Sequence, residues 1–370
     1  MDGRPVARLA EMLRRMGLDA AYVVNNVNVS YLTGFFCQPF ERHLGALVTA
    51  DSQVALVAPA LEAEHAQAAT SARLYTYEDS EDPFATAARC FHDLGLSAGR
   101  MGIEKGSMTV RTWERLLRAL PQMRGEDATD ALAELRLIKT SEELNRMRHA
   151  GQIADRVVLE AVHQLLPGTI EIDLAAEIEL RLKRAGGVAF GSIVLFGEKS
   201  AMPHGEPGTN SLEEGDLVIL DLGGVYQGYC SDITRTVVLG EPSPAQLAVH
   251  GAVLEAQQAA VEAVRPGRPV AEVDQAARSV ISRAGYGPHF IHRTGHGLGL
   301  EAHEPPSVHG RNQEPMREGM VFSVEPGIYV PGLGGVRIED AVTVTAQGAE
   351  RLNHAPRSIN PDDYPAAAPA

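Results

Sequence analysis

The chain has 370 residues, which is too long for one typical domain and suits two. Its 48 acidic and 33 basic residues leave a formal net charge of −15, and no basic run is present, which argues against nucleic acid or an anionic membrane as a partner. No apolar stretch approaches the ~20 residues that span a bilayer, and the N-terminus lacks the apolar core of a signal peptide. The three cysteines are widely spaced, which favours buried, reduced thiols in a cytoplasmic protein.

Residues 1–135 alternate helix-like and strand-like patterns, and this alternation predicts an N-terminal α/β domain. The helix-like VARLAEMLRRMG is followed by the strand-like AAYVVNN, then by the apolar pair HLGALVTA and QVALVAP. A helix in VRTWERLLRALPQM is expected to close this domain. We find no obvious catalytic cluster here, so the chemistry is expected further along the chain.

A second domain is predicted over residues 140–357. Thr140 and Glu143 form a capping-box pattern, which marks the start of a long helix. A Pro167-Gly168 pair ends that helix, and a second helix and β-rich runs follow. The same order recurs around Pro266-Gly267, which indicates a duplicated, pseudo-two-fold domain. Residues 358–370 are rich in Pro, Ala and Asp and predict a flexible tail.

Two acidic residues lie in the first pair of β-rich runs, DLVILDLGGVYQGYCSDITRTVVLG. A hairpin loop centred on Tyr226-Gln227 places Asp221 directly opposite Asp232, with Cβ atoms ~4.5–5.5 Å apart. Two carboxylates that close repel each other unless a cation lies between them or one keeps its proton. The pattern therefore points to a cation site.

The second pair of β-rich runs repeats this arrangement. MVFSVEPGIYV and GGVRIEDAVTV flank a loop centred on Gly332, which places Glu325 opposite Glu339. Arg337 and Tyr329 lie an even number of residues away along the strands, so they are expected on the same acidic face. Two opposed acidic pairs in strands otherwise rich in Val and Ile predict a buried dinuclear metal site.

A cluster of histidines accompanies the acidic hairpins. HFIHRTGHGLGLEAHEPP holds four histidines in a glycine-rich segment, and AMPHGEPG contributes His204. Four carboxylates and one imidazole suit a pair of divalent first-row ions, with Mn favoured and Zn, Co and Fe also compatible. Such a pair can bind a shared hydroxide and polarise a carbonyl.

Four segments, MPHGEPGT, LDLGGVYQGYCSDITRTVVLG, HRTGHGLGLEAHEPP and EPGIYVPGLGGVRIEDAV, together closely resemble the metal-dependent Xaa-Pro peptidases, prolidase and aminopeptidase P. The resemblance implies a creatinase-like N-terminal α/β domain followed by a pita-bread catalytic domain. It also implies that two metal ions are held by Asp221, Asp232, His296, Glu325 and Glu339. By this resemblance Asp232 and Glu339 bridge the ions, and Glu325 takes the proton of the attacking bridging hydroxide or water.

The same resemblance assigns roles around the metal ions. His303 is expected to steady the scissile carbonyl, and His204 and His292 to contact the proline. Arg337 is expected beside the bridging carboxylates, and Tyr329 near the substrate pocket. The residues expected to take part in catalysis are thus Glu325, His303, His204, His292 and Arg337.

The leading hypothesis is an Xaa-Pro dipeptidase that acts on proline-containing dipeptides or short peptides. One alternative is aminopeptidase P, which releases the residue before proline from longer peptides; another is a non-catalytic peptide-binding module. In the family, the N-terminal domain of a partner subunit often limits substrate length, so a homodimer is expected, with residues 1–135 supplying dimer contacts and this gating.

Overall fold

The structure is a computed structural model that describes residues 4–367. The chain folds as two compact units, Met1–Arg136 and Leu137–Ala370. The helices are α1 (Arg4–Met16), α2 (Asn26–Thr33), α3 (Ala63–Ala69), α4 (Pro83–Asp93), α5 (Val110–Ala119), α6 (Thr129–Leu137), α7 (Ser141–Val162), α8 (Glu171–Ala185), α9 (Pro244–Ala263) and α10 (Ala271–Arg283).

The strands of the N-terminal unit are β1 (Ala20–Val23), β2 (Gly45–Thr49), β3 (Val54–Pro59), β4 (Arg73–Tyr77), β5 (Gly99–Ile103) and β6 (Met123–Asp127). They form one mixed sheet in the order β4-β3-β2-β1-β5-β6. Helices cover both faces, and each face has its own apolar core, which explains why β1 to β3 are continuously apolar rather than alternating. The predicted α/β domain is confirmed.

The strands of the C-terminal unit are β7 (Ile193–Phe196), β8 (Leu217–Leu222), β9 (Val225–Tyr226), β10 (Tyr229–Cys230), β11 (Ile233–Val238), β12 (Gly295–Gly297), β13 (Glu304–Val308), β14 (Val321–Val324), β15 (Gly327–Val330), β16 (Gly334–Arg337), β17 (Glu339–Thr345) and β18 (Gly348–Arg351). An eight-stranded sheet has the order β13-β12-β14-β17-β11-β8-β7, with β18 paired to β17. One apolar core lies under α9 and α10 and another under α7 and α8. The predicted duplicated fold is therefore present, and its halves join where β11 pairs with β17.

The capping box at the start of α7 forms as predicted. The Thr140 hydroxyl accepts a hydrogen bond from the Glu143 backbone N–H, and the Glu143 carboxylate accepts one from the Thr140 N–H. A second capping box, formed by Ser243 and Gln246, begins α9 at the equivalent place in the other half. The first helix of each half therefore begins with a capping box.

The predicted flexible tail needs correction for its first part. Ile359 and Tyr364 are buried, and the Val238 backbone N–H donates to the Ile359 carbonyl at 2.9 Å. These two apolar side chains anchor a segment whose overall composition resembles a linker. Residues 368–370 lie outside the described range. Between residues 4 and 367, no helix is long and apolar enough to cross a membrane.

Candidate metal centre

The first acidic hairpin has a register different from the predicted one. Gln227 and Gly228 both have positive φ, 48° and 85°, so they form a two-residue turn of the type that suits the twist of paired strands. The turn is therefore centred one residue later than predicted, and Asp221 faces Thr234 rather than Asp232. Asp232 lies two residues before Thr234 along the chain. It shares the face of Asp221 as a diagonal neighbour.

The second acidic hairpin has the predicted register. Gly327 pairs with Arg337 and Val324 pairs with Asp340, so the loop is centred on Gly332 and Glu325 stands opposite Glu339. In β11, Thr234 pairs with Glu339 on one side and with Asp221 on the other. The Thr234 hydroxyl donates to Glu339 Oε2 at 2.6 Å. Both hairpins therefore present their carboxylates on one face around Thr234.

His296 enters this face from β12. Its flanking residues, Gly295 and Gly297, leave no space for a Cβ, which would lie 1.9 Å and 2.1 Å from the carbonyl oxygens of Ser323 and Pro305. The glycines thus allow the strand to pack closely enough to bring the imidazole to the carboxylates. His296 Nδ1 lies 3.2 Å from the Gly297 carbonyl oxygen, and this contact leaves Nε2 directed at the acidic residues.

Asp232, His296 and Glu339 are buried, and one potential ligand atom from each lies within 4.8 Å of the others. His296 Nε2 is 3.4 Å from Glu325 Oε1 and 3.7 Å from Asp232 Oδ2. Asp221 is not in this closest group, and its Oδ2 accepts a hydrogen bond from an Arg337 N–H. The structure therefore brings four of the five predicted ligands into direct proximity and holds the fifth beside them through Arg337.

The electrostatics of this cluster fit a bound cation. Burial first, and then the neighbouring carboxylates, raise the pKa of Asp232 and Glu339 well above their ordinary values. Burial raises the pKa of Glu325 to about 7 and lowers that of His296 to about 3. Three buried oxygens, Asp221 Oδ1, Asp232 Oδ1 and Glu339 Oε1, have no hydrogen-bond partner among residues 4–367. Unpaired buried carboxylate oxygens beside a neutral imidazole form a donor set suited to divalent ions.

The histidines predicted to contact substrate gather at the same face. The His303 ring lies 3.8 Å, centroid to centroid, from the His296 ring, and its own side chain is exposed. His292 Nε2 lies 3.0 Å from the Tyr329 hydroxyl, and burial lowers the pKa of His292 to about 4. Burial also lowers the pKa of His303, and a positive charge on His204 would lower the pKa of both His292 and His303 further, so the three imidazoles lie within electrostatic range of one another.

Arg337 connects the histidines to the carboxylates. It donates to the Tyr329 hydroxyl at 2.8 Å, to Thr234 Oγ1 at 3.2 Å and to the Pro203 carbonyl at 3.3 Å, in addition to Asp221. Pro203 directly precedes His204. The prediction that Arg337 and Tyr329 share one face is confirmed. The Arg337 guanidinium brings a positive charge into contact with the Asp221 carboxylate.

Comparison with known proteins identifies the family. A model described as metallopeptidase family M24 matches residues 145–346, and one described as the creatinase/prolidase N-terminal domain matches residues 5–138. The chain belongs to metallopeptidase family M24. The family M24 assignment implies divalent metal, and the buried group of Asp232, His296 and Glu339 could hold it.

Individual family M24 relatives match over nearly their whole length. YkvY of Bacillus subtilis, named provisionally as a dipeptidase, is 40% identical over 96% of this chain and 98% of its own. The structure of a prolidase from Thermococcus sibiricus is 35% identical, with a TM-score of 0.91 over 97% of this chain and 99% of that one. The structure of an X-Pro aminopeptidase from Thermotoga maritima is 33% identical, with a TM-score of 0.85 over 94% and 99%.

Two residues that support the site were missed by sequence reasoning. Ser323 accepts a hydrogen bond from the His296 N–H at 3.0 Å, and its hydroxyl donates to Glu325 Oε1 at 3.1 Å. Glu171 is fully buried and accepts from the N–H groups of Phe196 and Gly208, each at 2.9 Å. It thereby closes the segment 196–208, which carries His204. The one available signal for Ser323 was a polar residue within the otherwise apolar MVFSV.

Proposed function

We propose that this protein is an Xaa-Pro dipeptidase that uses two divalent metal ions. The observation that carries the proposal is the buried group of Asp232, His296 and Glu339, with unpaired carboxylate oxygens and with the His303 ring against that of His296. The names of the prolidase and dipeptidase relatives support the substrate class. The ligands would be Asp221, Asp232, His296, Glu325 and Glu339.

The ions, when bound, would polarise the scissile carbonyl and make water a better nucleophile. Glu325 would accept the proton of the attacking water as general base. His303 would donate a hydrogen bond to the carbonyl oxygen as negative charge develops on it. His292 and His204 would contact the proline side, and the Tyr329 hydroxyl, between His292 and Arg337, would hold that imidazole in place.

The substrate has a physical rationale. The bond before proline is a tertiary amide without an N–H, so peptidases that grip substrates by strand addition cannot use that contact. A shaped pocket lined by imidazoles and a metal-assisted hydrolysis do not require the missing N–H. We favour a dipeptidase over aminopeptidase P. The similarity to the X-Pro aminopeptidase of Thermotoga maritima makes aminopeptidase P the second candidate.

Hydrolysis of Ala-Pro, Ala-Pro-Ala and Ala-Ala with added Mn²⁺ tests this function. We expect Ala-Pro to be cleaved at least ~100-fold faster than Ala-Ala in kcat/KM, because a missing methylene in an apolar pocket is worth ~1–3 kcal/mol and alanine lacks two. Preference for Ala-Pro-Ala would indicate aminopeptidase P. Equal rates on Ala-Pro and Ala-Ala would refute the Xaa-Pro assignment. Absence of bound metal and of activity would favour a peptide-binding module.

Three finer proposals accompany the dipeptidase assignment. Mn²⁺ is proposed as the native ion, because the donors are mainly carboxylate oxygens. A homodimer is proposed, with dimer contacts and limits on substrate length from the N-terminal unit. Its exposed Phe36, Phe40 and Val110, at 55%, 80% and 73% exposure, support an interface there. A cytoplasmic location is proposed from the three buried cysteines, none of which is in a disulfide within the described residues.

A further inference from the structure

We propose that the ion pair between Lys139 and Glu304 positions His303, an inference that rests on the proposed function for the role of His303. Lys139 precedes α7, and Glu304 opens β13. Their side chains are 2% and 4% exposed, and Lys139 Nζ lies 2.8 Å from Glu304 Oε1. The pair is not among the residues expected to bind metal or substrate, so its effect on catalysis would be indirect.

A buried ion pair is rarely kept for stability alone. Removing two charges from water costs about as much as their attraction returns, and apolar side chains of similar volume often serve a core as well or better. A buried, charge-assisted hydrogen bond does fix the distance between the two chain segments that carry its partners. Here one partner is the residue directly after His303.

The geometry of β12 and β13 explains how holding Glu304 would hold His303. Gly297 pairs with Glu304 while His296 pairs with Ser307, so β13 bulges at Pro305-Pro306 and the ladder is irregular beside the site. Glu304 is the first residue of β13, and His303 is the last residue of the bend before it. The Glu304 carboxylate contacts Lys139 while the His303 ring lies against the His296 ring, so fixing Glu304 would fix the backbone from which the His303 side chain extends.

Two features of the neighbouring chain keep the Glu304 carboxylate and the Lys139 ammonium in place. A Cβ on Gly299 would lie 2.6 Å from Glu304 Oε1, so a larger residue there would displace the carboxylate. Lys139 is itself held, because its N–H donates to the Gly319 carbonyl at 2.9 Å and the capping box of α7 starts at the next residue. The Lys139 ammonium therefore belongs to a residue whose backbone is fixed directly before the 22-residue helix α7. The pair links the irregular strand to this rigid element.

The test compares Lys139→Met and Glu304→Gln in the wild-type chain and in a His303→Ala background. We expect Lys139→Met to lower kcat on Ala-Pro about tenfold, a part of the ~10²–10³ that a positioned oxyanion donor supplies, with KM and metal content nearly unchanged. In the His303→Ala background the same change should have no further effect on kcat. Lys183→Met, at an exposed position of α8, is the matched control and should change nothing.

A second measurement does not depend on activity. Amide hydrogen exchange over residues 298–304 should become faster in Lys139→Met and in Glu304→Gln than in the control. Glu304→Gln keeps the side-chain shape and serves if Lys139→Met fails to fold. Unchanged exchange in this segment would overturn the inference, and so would equal losses of kcat with and without His303. If the wild-type chain cleaved no Xaa-Pro bond, the proposed function would fail, and the exchange result would still decide whether the pair orders this segment.

Discussion

The affinity of the metal-free protein for Mn²⁺ should increase as pH rises from 6 to 8. A metal ion binds the deprotonated form of a carboxylate, so protons compete with it wherever the ligand pKa is raised. Burial raises the pKa of Glu325 to about 7, so this group is mostly protonated at pH 6 and mostly ionised at pH 8. His296, with a pKa of about 3, is already neutral over this interval and releases no proton.

The pKa of Glu325 sets the size of the effect. One group that titrates near 7 changes the apparent affinity about tenfold between pH 6 and pH 8, which corresponds to about 1.4 kcal/mol. Asp232 and Glu339, whose pKa values burial raises well above the ordinary range, would release further protons on binding. The tenfold gain is therefore a lower estimate, and the sign is fixed: affinity is lost as pH falls.

Isothermal titration calorimetry of Mn²⁺ into metal-free protein, in buffers of different ionisation enthalpy, measures both the affinity and the protons released. We expect at least about one proton released per chain at pH 6. Glu325→Gln should reduce this number by about one while binding weakens. An affinity that is constant from pH 6 to pH 8, with no buffer dependence of the enthalpy, would show that these carboxylates are ionised before metal binds and would refute the reasoning.

Three further variants test other parts of the structure. Asp232→Asn should fold but bind much less metal by elemental analysis, whereas full metal content and activity would contradict its place as a ligand. Arg235→Leu should lower the free energy of unfolding by about 3 kcal/mol, measured by denaturant titration, because it removes the donor to the buried carbonyl groups of Ala355 and Pro356 as well as one of the arginines that contact Asp340; a loss below about 1 kcal/mol would contradict this. Glu171→Gln should raise KM for Ala-Pro more than it lowers kcat, because Glu171 closes the His204 segment rather than contacting the metal ligands; unchanged kinetics would refute it.

Sequence reasoning succeeded where local geometry determines the register. The loop centred on Gly332 is odd in length, so the pairing of Glu325 with Glu339 followed from position numbers alone. It failed at the first hairpin, because Gln227 adopts a positive φ that the residue type does not announce, and the pairing shifted. Asp221 and Asp232 still share a face, since the shift equals one full pleat repeat and leaves the side of the sheet unchanged.

Contacts between residues distant in sequence were not predictable in the same way. Arg235 is fully buried within ITRTVV, and it reaches Asp340 and the carbonyl groups of Ala355 and Pro356, more than 100 positions away. In the sequence it has the appearance of an outward-facing charge. Strand β6, MRGED, shows no apolar alternation because it lies at the sheet edge, so it was missed as well.

The two halves of the catalytic unit depend on each other through charge. Each hairpin supplies two carboxylates, and the halves join at the pair of Thr234 with Glu339. Four acidic groups therefore gather around one contacting guanidinium, that of Arg337, in a setting where water is largely excluded. Such a face can persist only if some carboxylates keep their protons or if cations replace those protons. The raised pKa values of Asp232 and Glu339 correspond to carboxylates that keep their protons in the metal-free protein. Metal-dependent hydrolysis at neutral pH requires that cations replace these protons. Because the duplication brings the carboxylates together, we expect bound metal to stabilise the folded state.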